Sequence, residues 1–344
     1  MNNKKTSAKR ILSLVLLIAI LFTLGACGNS SSASSAAPAP ASSAAPASSA
    51  PPASSPGKTS FYSFGAGGSG GTWYTMVGGI IPLFNDNIPN VNFSVSATGG
   101  SGENATRLFN GDDDFGMLYD QHIYDSFKGT GDFTGKASDT IQVLCQIYDS
   151  CHYFVTLKKT GITSLADLEG KAVAYGAAGS MTNANSRMVF DTLGINVKGQ
   201  DMSYADAASA LKDGTIMALG QGGAPASGVV ELAATVDIVI IPISDEEMAK
   251  LVEVSPFCVP GVLPANTYQG QTEDVPSFYN TVFWCANKSV SDDIVYQSLE
   301  VAFKNVEYLN TVHAQWSTLC NTPDTVKALG AVYHPGAEKY WNEH

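Results

Sequence analysis

The chain has 344 residues, enough for one large or two ordinary globular domains. Lysine and arginine number 19 against 31 aspartates and glutamates, a net charge of −12, and only Arg107 and Arg187 follow the first ten residues. That balance argues against nucleic acid as a partner, and it leaves an anionic ligand to be held largely by backbone dipoles and hydroxyls.

Lys4, Lys5, Lys9 and Arg10 precede an apolar run over 11–22, the pattern of a secretory leader and too short for a good membrane span. It ends in Leu24-Gly25-Ala26-Cys27, which resembles the bacterial lipobox; residues 1–26 would then be a leader and Cys27 a lipidated first residue on the outer side of the membrane. Loss of the leader takes the net charge from −12 to −16. Gly28 to Lys58 is almost all Ser, Ala and Pro and cannot bury a core, so residues 27–58 read as an anchor and a disordered tether. Beyond Cys27 stand Cys145, Cys151, Cys258, Cys285 and Cys320, an odd number that leaves free thiols and a disulfide both open. There is no CxxC pattern, and no metal or cofactor is expected.

A strand over 61–64 runs into the glycine loop 65–71, and Trp73, Met76, Val77, Ile80, Ile81 and Phe84 then fall at helical spacing. A helix start of this kind presents unpaired N–H groups and a positive dipole end, a seat for an anion. The loop also matches a dinucleotide fingerprint, but the next strand, 91–97, ends in Thr98-Gly99-Gly100 without the required acid. Gly67-Gly68-Ser69-Gly70-Gly71 fits a hydrolase nucleophile elbow. A second turn, 98–104, leads into a helix with Ser101 as its expected cap and a Glu103–Arg107 pair, closed by Gly111. Asp112 to Asp114 read as a solvated acidic turn. A strand over 115–118 then places Tyr119-Asp120-Gln121 at its end, with Asp120 a cap or a cleft residue.

A strand over 141–147 continues as extended chain to 156, suited to crossing between lobes. Strand 172–175 feeds a third glycine turn with Gly179, Ser180 and Thr182 before a helix to 193. A helix over 204–212 and a strand over 215–219 precede a fourth turn, Gly220 to Pro225, before a helix over 229–234. A strand over 236–241, a helix over 245–254, a return crossing at 256–264, a strand over 275–286 and one long helix over 291–313 follow, with short helices near 325–329 and 337–341. Alternating strands and helices with two crossings indicate two α/β lobes around a cleft.

From Thr59 on, the chain resembles the TAXI family of solute-binding proteins, the extracytoplasmic receptors of TRAP-type transporters. The resemblance rests on GAGGSGGTWYTMVGGI, TGGSGENATRLFNGDDDFGM, GITSLADLEGKAVAYGAAGSMT, ALKDGTIMAL, GGAP before VVELAA, LPANTYQGQTEDVPS and the tail HPGAEKYW, in order. It implies a two-lobed periplasmic-binding-protein type II fold, with 59–150 and 259–344 forming lobe I and 151–258 lobe II. It also implies a non-catalytic receptor that captures a small carboxylate, an amino acid or dicarboxylic acid, for an ion-gradient-driven permease. By matching motif, the ligand would be lined by Gly68, Ser69, Thr72 and Tyr74; by Gly100, Ser101 and Asn104; and by Gly179, Ser180, Thr182, Gly223 and Pro225. Tyr119-Asp120-Gln121 stands where the family commonly has Gln-Ser-Asp, and Met181 interrupts its Gly-Ser-Gly-Thr, so these four positions are expected to set specificity. The alternatives are a ligand-sensing lipoprotein and an extracytoplasmic serine hydrolase using Ser69, for which His122, His152, His313, His334 and His344 offer no recognisable triad context.

Overall fold

A computed structural model describes residues 58–69 and 71–344. The expected leader, the Cys27 anchor and nearly all of the tether lie outside the described residues.

The first elements alternate as expected: β1 (Ser60–Gly65), α1 (Thr72–Asn87), β2 (Val91–Ser96), α2 (Ser101–Asn110), β3 (Phe115–Tyr119) and α3 (Asp120–Lys128). The long strand β4 (Ile141–Leu157) then leads into β5 (Ala172–Gly176), α4 (Met181–Leu193), β6 (Lys198–Asp201), α5 (Tyr204–Asp213), β7 (Ala218–Gly222), α6 (Ser227–Ala233), β8 (Ile238–Ile241) and α7 (Asp245–Val254). The chain returns through β9 (Val259–Leu263) and β10 (Val275–Asn287) and closes with α8 (Asp292–Lys304), α9 (Val306–Val312), α10 (Pro323–Ala328) and α11 (Pro335–Glu343).

The strands form one sheet in the order β2-β1-β3-β10-β4-β7-β5-β6, with β8 beside β4 and β9 beside β10. Each end is parallel, β1 between β2 and β3, and β5 between β6 and β7. That is what strand–helix–strand connections produce. The two parallel ends are joined by antiparallel β4 and β10, which carry the chain from one half to the other. Strand periodicity gives each half two buried faces. Along β10, Val282, Trp284 and Ala286 point into a core with α1, α8, α9 and α11, while Phe283 and Cys285 point to the opposite side, towards α2, α3 and α10. In β4, Tyr153 and Val155 join the α5–α6 core and Phe154 the α4–α7 core. Trp284 stacks on Phe64 and Phe84, both at 5.7 Å between centroids. The fold is two-lobed α/β.

Several expectations change on packing. Leu263 and Tyr268, beyond the expected return at 258/259, share the core of Val155 and Leu219. The helix expected over 291–313 is two, broken at Asn305, whose φ of −115° and ψ of 20° leave the helical region while its amide donates to the Val301 carbonyl at 2.8 Å. This is the competition with backbone bonding that makes Asn a poor interior helix residue. The strand expected over 215–219 is shifted to β7, and β6 carried no sequence signal because all four of its residues are exposed.

The expected Glu103–Arg107 pair does not form. Arg107 Nε instead donates to Asp113 at 2.6 Å, with the Asp113 carboxylate fully buried, and Glu103 accepts from the Gly99 N–H at 2.7 Å. The acidic turn is therefore an anchor and not a solvated loop: Asp113 also accepts from Ser96 Oγ, and Asp114 from the Ser63 N–H. All five described cysteines are free thiols, four of them buried.

Candidate ligand-binding cleft

Three of the four glycine turns bring their helix starts, and the fourth its first residues, to a cavity of about 50 Å³ between the halves. Loop one and the start of α1 contribute Gly67, Gly68, Gly71, Thr72 and Trp73; loop two and the start of α2 contribute Gly99, Gly100 and Ser101. From the other half come Ser180, Met181 and Thr182 at the start of α4, Tyr204 at the start of α5, and Gln221 and Gly222 at the end of β7. Tyr119 and Tyr148 complete the wall.

Glycine is required where the halves meet. A Cβ on Gly99 would lie 2.7 Å from the Ala178 carbonyl oxygen, and one on Gly100, whose φ is +125°, 3.2 Å from the Ser180 Cα. Within the second half, one on Gly222 would lie 2.5 Å from Thr182 Oγ1. These loops can touch only because no side chain stands between them.

The electrostatics of the cavity come from backbone and hydroxyls. No Asp, Glu, Lys, Arg or His is among the described residues lining it. α1 and α2 begin at Gly71 and Gly100 without a side-chain cap, so their first-turn N–H groups and positive dipole ends face the cavity. α4 is capped by Ser180, whose hydroxyl accepts from the Asn183 N–H at 3.2 Å and donates to the Ala177 carbonyl at 2.6 Å. Both arginines among the described residues are committed elsewhere, Arg107 to Asp113 and Arg187 to Asp201 at 2.6 Å.

The side chains around the cavity are braced in pairs. Trp73 Nε1 donates to the Tyr148 hydroxyl at 2.7 Å, the Tyr119 hydroxyl bonds Ser150 Oγ at 2.8 Å, and Thr182 bonds Tyr204 at 3.1 Å. Burial pushes the phenols of Tyr119, Tyr148 and Tyr204 up, so all three are neutral hydroxyls at ordinary pH. Ser101 does not cap α2 as expected, since it is the first helical residue. Its Oγ accepts from the Tyr119 N–H at 2.9 Å and bonds His122 Nδ1 at 2.9 Å.

Of the residues expected to meet a ligand, Gly68, Thr72, Gly100, Ser101, Tyr119, Ser180, Met181 and Thr182 line the cavity. The others are not among its lining residues, although Gly223 borders Tyr148 and Thr72. Ser69 is exposed, and Tyr74 packs partly buried against the first core. Asn104 is wholly buried, and its amide donates to the carbonyls of Gly65, Ala66 and Met117, tying loop one to α2 and β3. Asp120 is buried at the start of α3 and accepts from the Gln121 N–H at 2.9 Å and the Thr281 N–H at 3.1 Å. Loss of hydration raises its pKa to about 7, against those two bonds. Gln121 lines a separate hollow with Asn185 and Phe257, and Gly179 an outer groove with Gly102, His122 and Arg187. Gly223 and Pro225 sit in the fourth turn, which is held closed: Gly223 O accepts from the Tyr153 hydroxyl at 3.1 Å, Ala224 O from Gln315 Nε2 at 3.2 Å, and the Ala226 N–H donates to the Tyr268 hydroxyl at 2.8 Å.

Sequence reasoning missed Trp73, Tyr148, Tyr204 and Gln221. Trp73 carried only a core signal, and Tyr148 lay inside a strand. Tyr204 could have been found, because it follows Ser203, a cap whose hydroxyl accepts from the Asp206 N–H.

The sequence matches the NMT1-like family over residues 64–344, most of the chain. The chain belongs to the NMT1-like family. It is therefore a solute-binding protein of the kind that serves transport, and not an enzyme. Among solved structures, this NMT1-like protein is similar to a protein from Bordetella bronchiseptica RB50 at 13% identity, over 83% of this chain and 98% of that one, with a TM-score of 0.49. It is also similar to a TctC solute binding protein from Polaromonas at 13% identity, over 84% and 99%, with a TM-score of 0.48. An ancestral arginine-binding protein bound to arginine is similar at 14% identity, over 74% and 97%, with a TM-score of 0.45. Among the described residues of the NMT1-like chain, no helix is long and apolar enough to cross a membrane, and no group of three or more His, Cys, Asp or Glu side chains could hold a metal ion.

Proposed function

We propose that this protein captures a small carboxylate in the cleft, outside the cell membrane, and delivers it to a TRAP-type, ion-gradient-driven permease as a TAXI-type receptor anchored through Cys27. The observation that carries the ligand class is the convergence of the α1, α2 and α4 starts on one cavity free of acidic side chains. Three positive dipole ends with polar N–H groups favour an anion, and the lining contains no carboxylate to repel it. Gly68, Thr72, Gly100, Ser101, Ser180 and Thr182 are the proposed contacts, with Tyr119 and Met181 setting the shape. The permease and the anchor are supported by the resemblance of the ordered motifs and the lipobox to the TAXI receptors.

Thermal unfolding in the presence of carboxylates, sugars and polyamines tests the ligand class. Stabilisation follows the ratio of ligand to dissociation constant and reaches about 2.7 kcal/mol at a hundredfold excess. Carboxylates should raise the midpoint. Stabilisation by sugars or polyamines alone would overturn the proposal. Uptake in vesicles holding the cognate permease, with and without this protein and a sodium gradient, tests delivery.

A further inference from the structure

Resting on the reading that the cavity receives a carboxylate, we infer that it selects acids without an ammonium group and rejects α-amino acids, because no acidic side chain is among its described lining residues and the carbonyls of its helix starts are committed within their helices. An ammonium ion carries three donors and a full charge, and its burial demands a counter-charge or several free oxygens. No acidic side chain is among the described lining residues. Asp120, at the adjoining helix start, turns its carboxylate to the Gln121 and Thr281 N–H groups. Glu103 is spent on the Gly99 N–H at the rim.

Most of the neutral acceptors are also used. The carbonyls at the three helix starts run down their helices, away from the cavity: Gly71 O accepts from Thr75 N at 3.3 Å, Gly100 O from Asn104 N at 2.9 Å, and Ser180 O from Ala184 N at 3.1 Å. Gly68 O accepts from Gly71 N at 2.9 Å. Among the hydroxyls, Tyr148 accepts from Trp73, Ser101 accepts from the Tyr119 N–H, and Thr182 and Tyr204 hold each other. Gln221 presents a neutral amide whose Nε2 donates to the Gly222 carbonyl at 2.9 Å. The cavity thus offers donors and aromatic surface, which suits a carboxylate bearing hydrogen, hydroxyl or keto oxygen where an amino acid carries its ammonium.

The test is calorimetry on the whole protein with acids matched in skeleton: propionate, lactate and pyruvate against alanine, and succinate and malate against aspartate. At least one amino-free acid should bind ten or more times tighter than its amino counterpart. Equal or tighter binding of the amino acid in both series overturns this inference and leaves the carboxylate reading standing. If no member of either series binds while a neutral or cationic solute does, the carboxylate reading fails with it. Gln221→Glu supplies the missing charge and should shift the ratio towards alanine or aspartate. An unchanged ratio in a folded variant counts against the inference.

Discussion

The helix starts of this protein divide into those that open on the cavity and those that are tied shut. α1 and α2 begin at bare glycines and α4 at a serine cap, all against the cavity. α6 begins behind a turn tethered by Tyr153, Tyr268 and Gln315, and α3 begins at Asp120, whose carboxylate is bonded to the crossing strand β10. In sequence the four glycine turns look alike. What separates the fourth from the rest is remote: Tyr268 lies 42 residues from Ala226, just as Thr281, which ties the start of α3, lies 161 from Asp120. Glycine grants a backbone freedom, and residues far along the chain decide whether a ligand or the protein itself uses it.

The largest expected effect breaks a tied start. Asp120 has a folded pKa of about 7 against an ordinary 3.8. The folded state therefore keeps its proton after the unfolded state has lost it. Its stabilising contribution is complete below about pH 4 and is lost as pH rises towards 7, a span on the order of 4 kcal/mol at 1.36 kcal/mol per unit. Asp120→Asn removes this titration. Urea unfolding of both proteins at pH 4.5 and 7.5 should show the variant gaining on the wild type at the higher pH, and a pH-independent difference would contradict the assignment. His152, buried against Phe154 and Phe278 with its pKa lowered to about 3, titrates in both proteins and cancels in the comparison.

Tyr268→Phe opens the other tied start, leaving the buried Ala226 N–H without its acceptor. A loss of about 1–3 kcal/mol in unfolding free energy is expected, with ligand affinity unchanged, and a matching loss of affinity would extend the binding site from Gly222 into the tethered part of the fourth turn. Gly99→Ala does the reverse. Its φ lies outside the left-handed region, so the substitution adds no backbone strain of its own and its cost comes from the contact with Ala178. The new methyl would lie 2.7 Å from the Ala178 carbonyl oxygen and hold the two halves apart, so carboxylate affinity should fall about tenfold, or 1.4 kcal/mol. Ser180→Ala removes the α4 cap at a cost of about 1 kcal/mol, read as a lower melting temperature. The smallest effect is reserved for Ser69→Ala: Ser69 is exposed and away from the cavity, so affinity and stability should both stay put.

Much of the fold was legible because its signals are local. The buried stripe of α1, the alternation of β2, the closing glycines of α2 and α4, and the ends of α7 all follow from short-range patterns. The site was half legible. Glycine turns before helices marked Gly68, Gly100 and Ser180, but Asn104 proved to be a bracket between loops and Gly223 part of a closed turn, because their partners come from β1, β3 and β4. Tyr148 and Trp73 escaped notice for the opposite reason. Buried aromatics in a strand and a helix face read as core, and only the meeting of the two halves makes them the wall of a cavity.

The account stands on helix-start N–H groups gripping an acid, and a crystal structure of the protein with its tightest-binding carboxylate tests this most directly. The carboxylate oxygens should lie roughly 3 Å from first-turn N–H groups of α1, α2 or α4, with no Asp, Glu, Lys or Arg in contact. A carboxylate paired with Arg107 or Arg187, or seated outside the cavity between the halves, would contradict it.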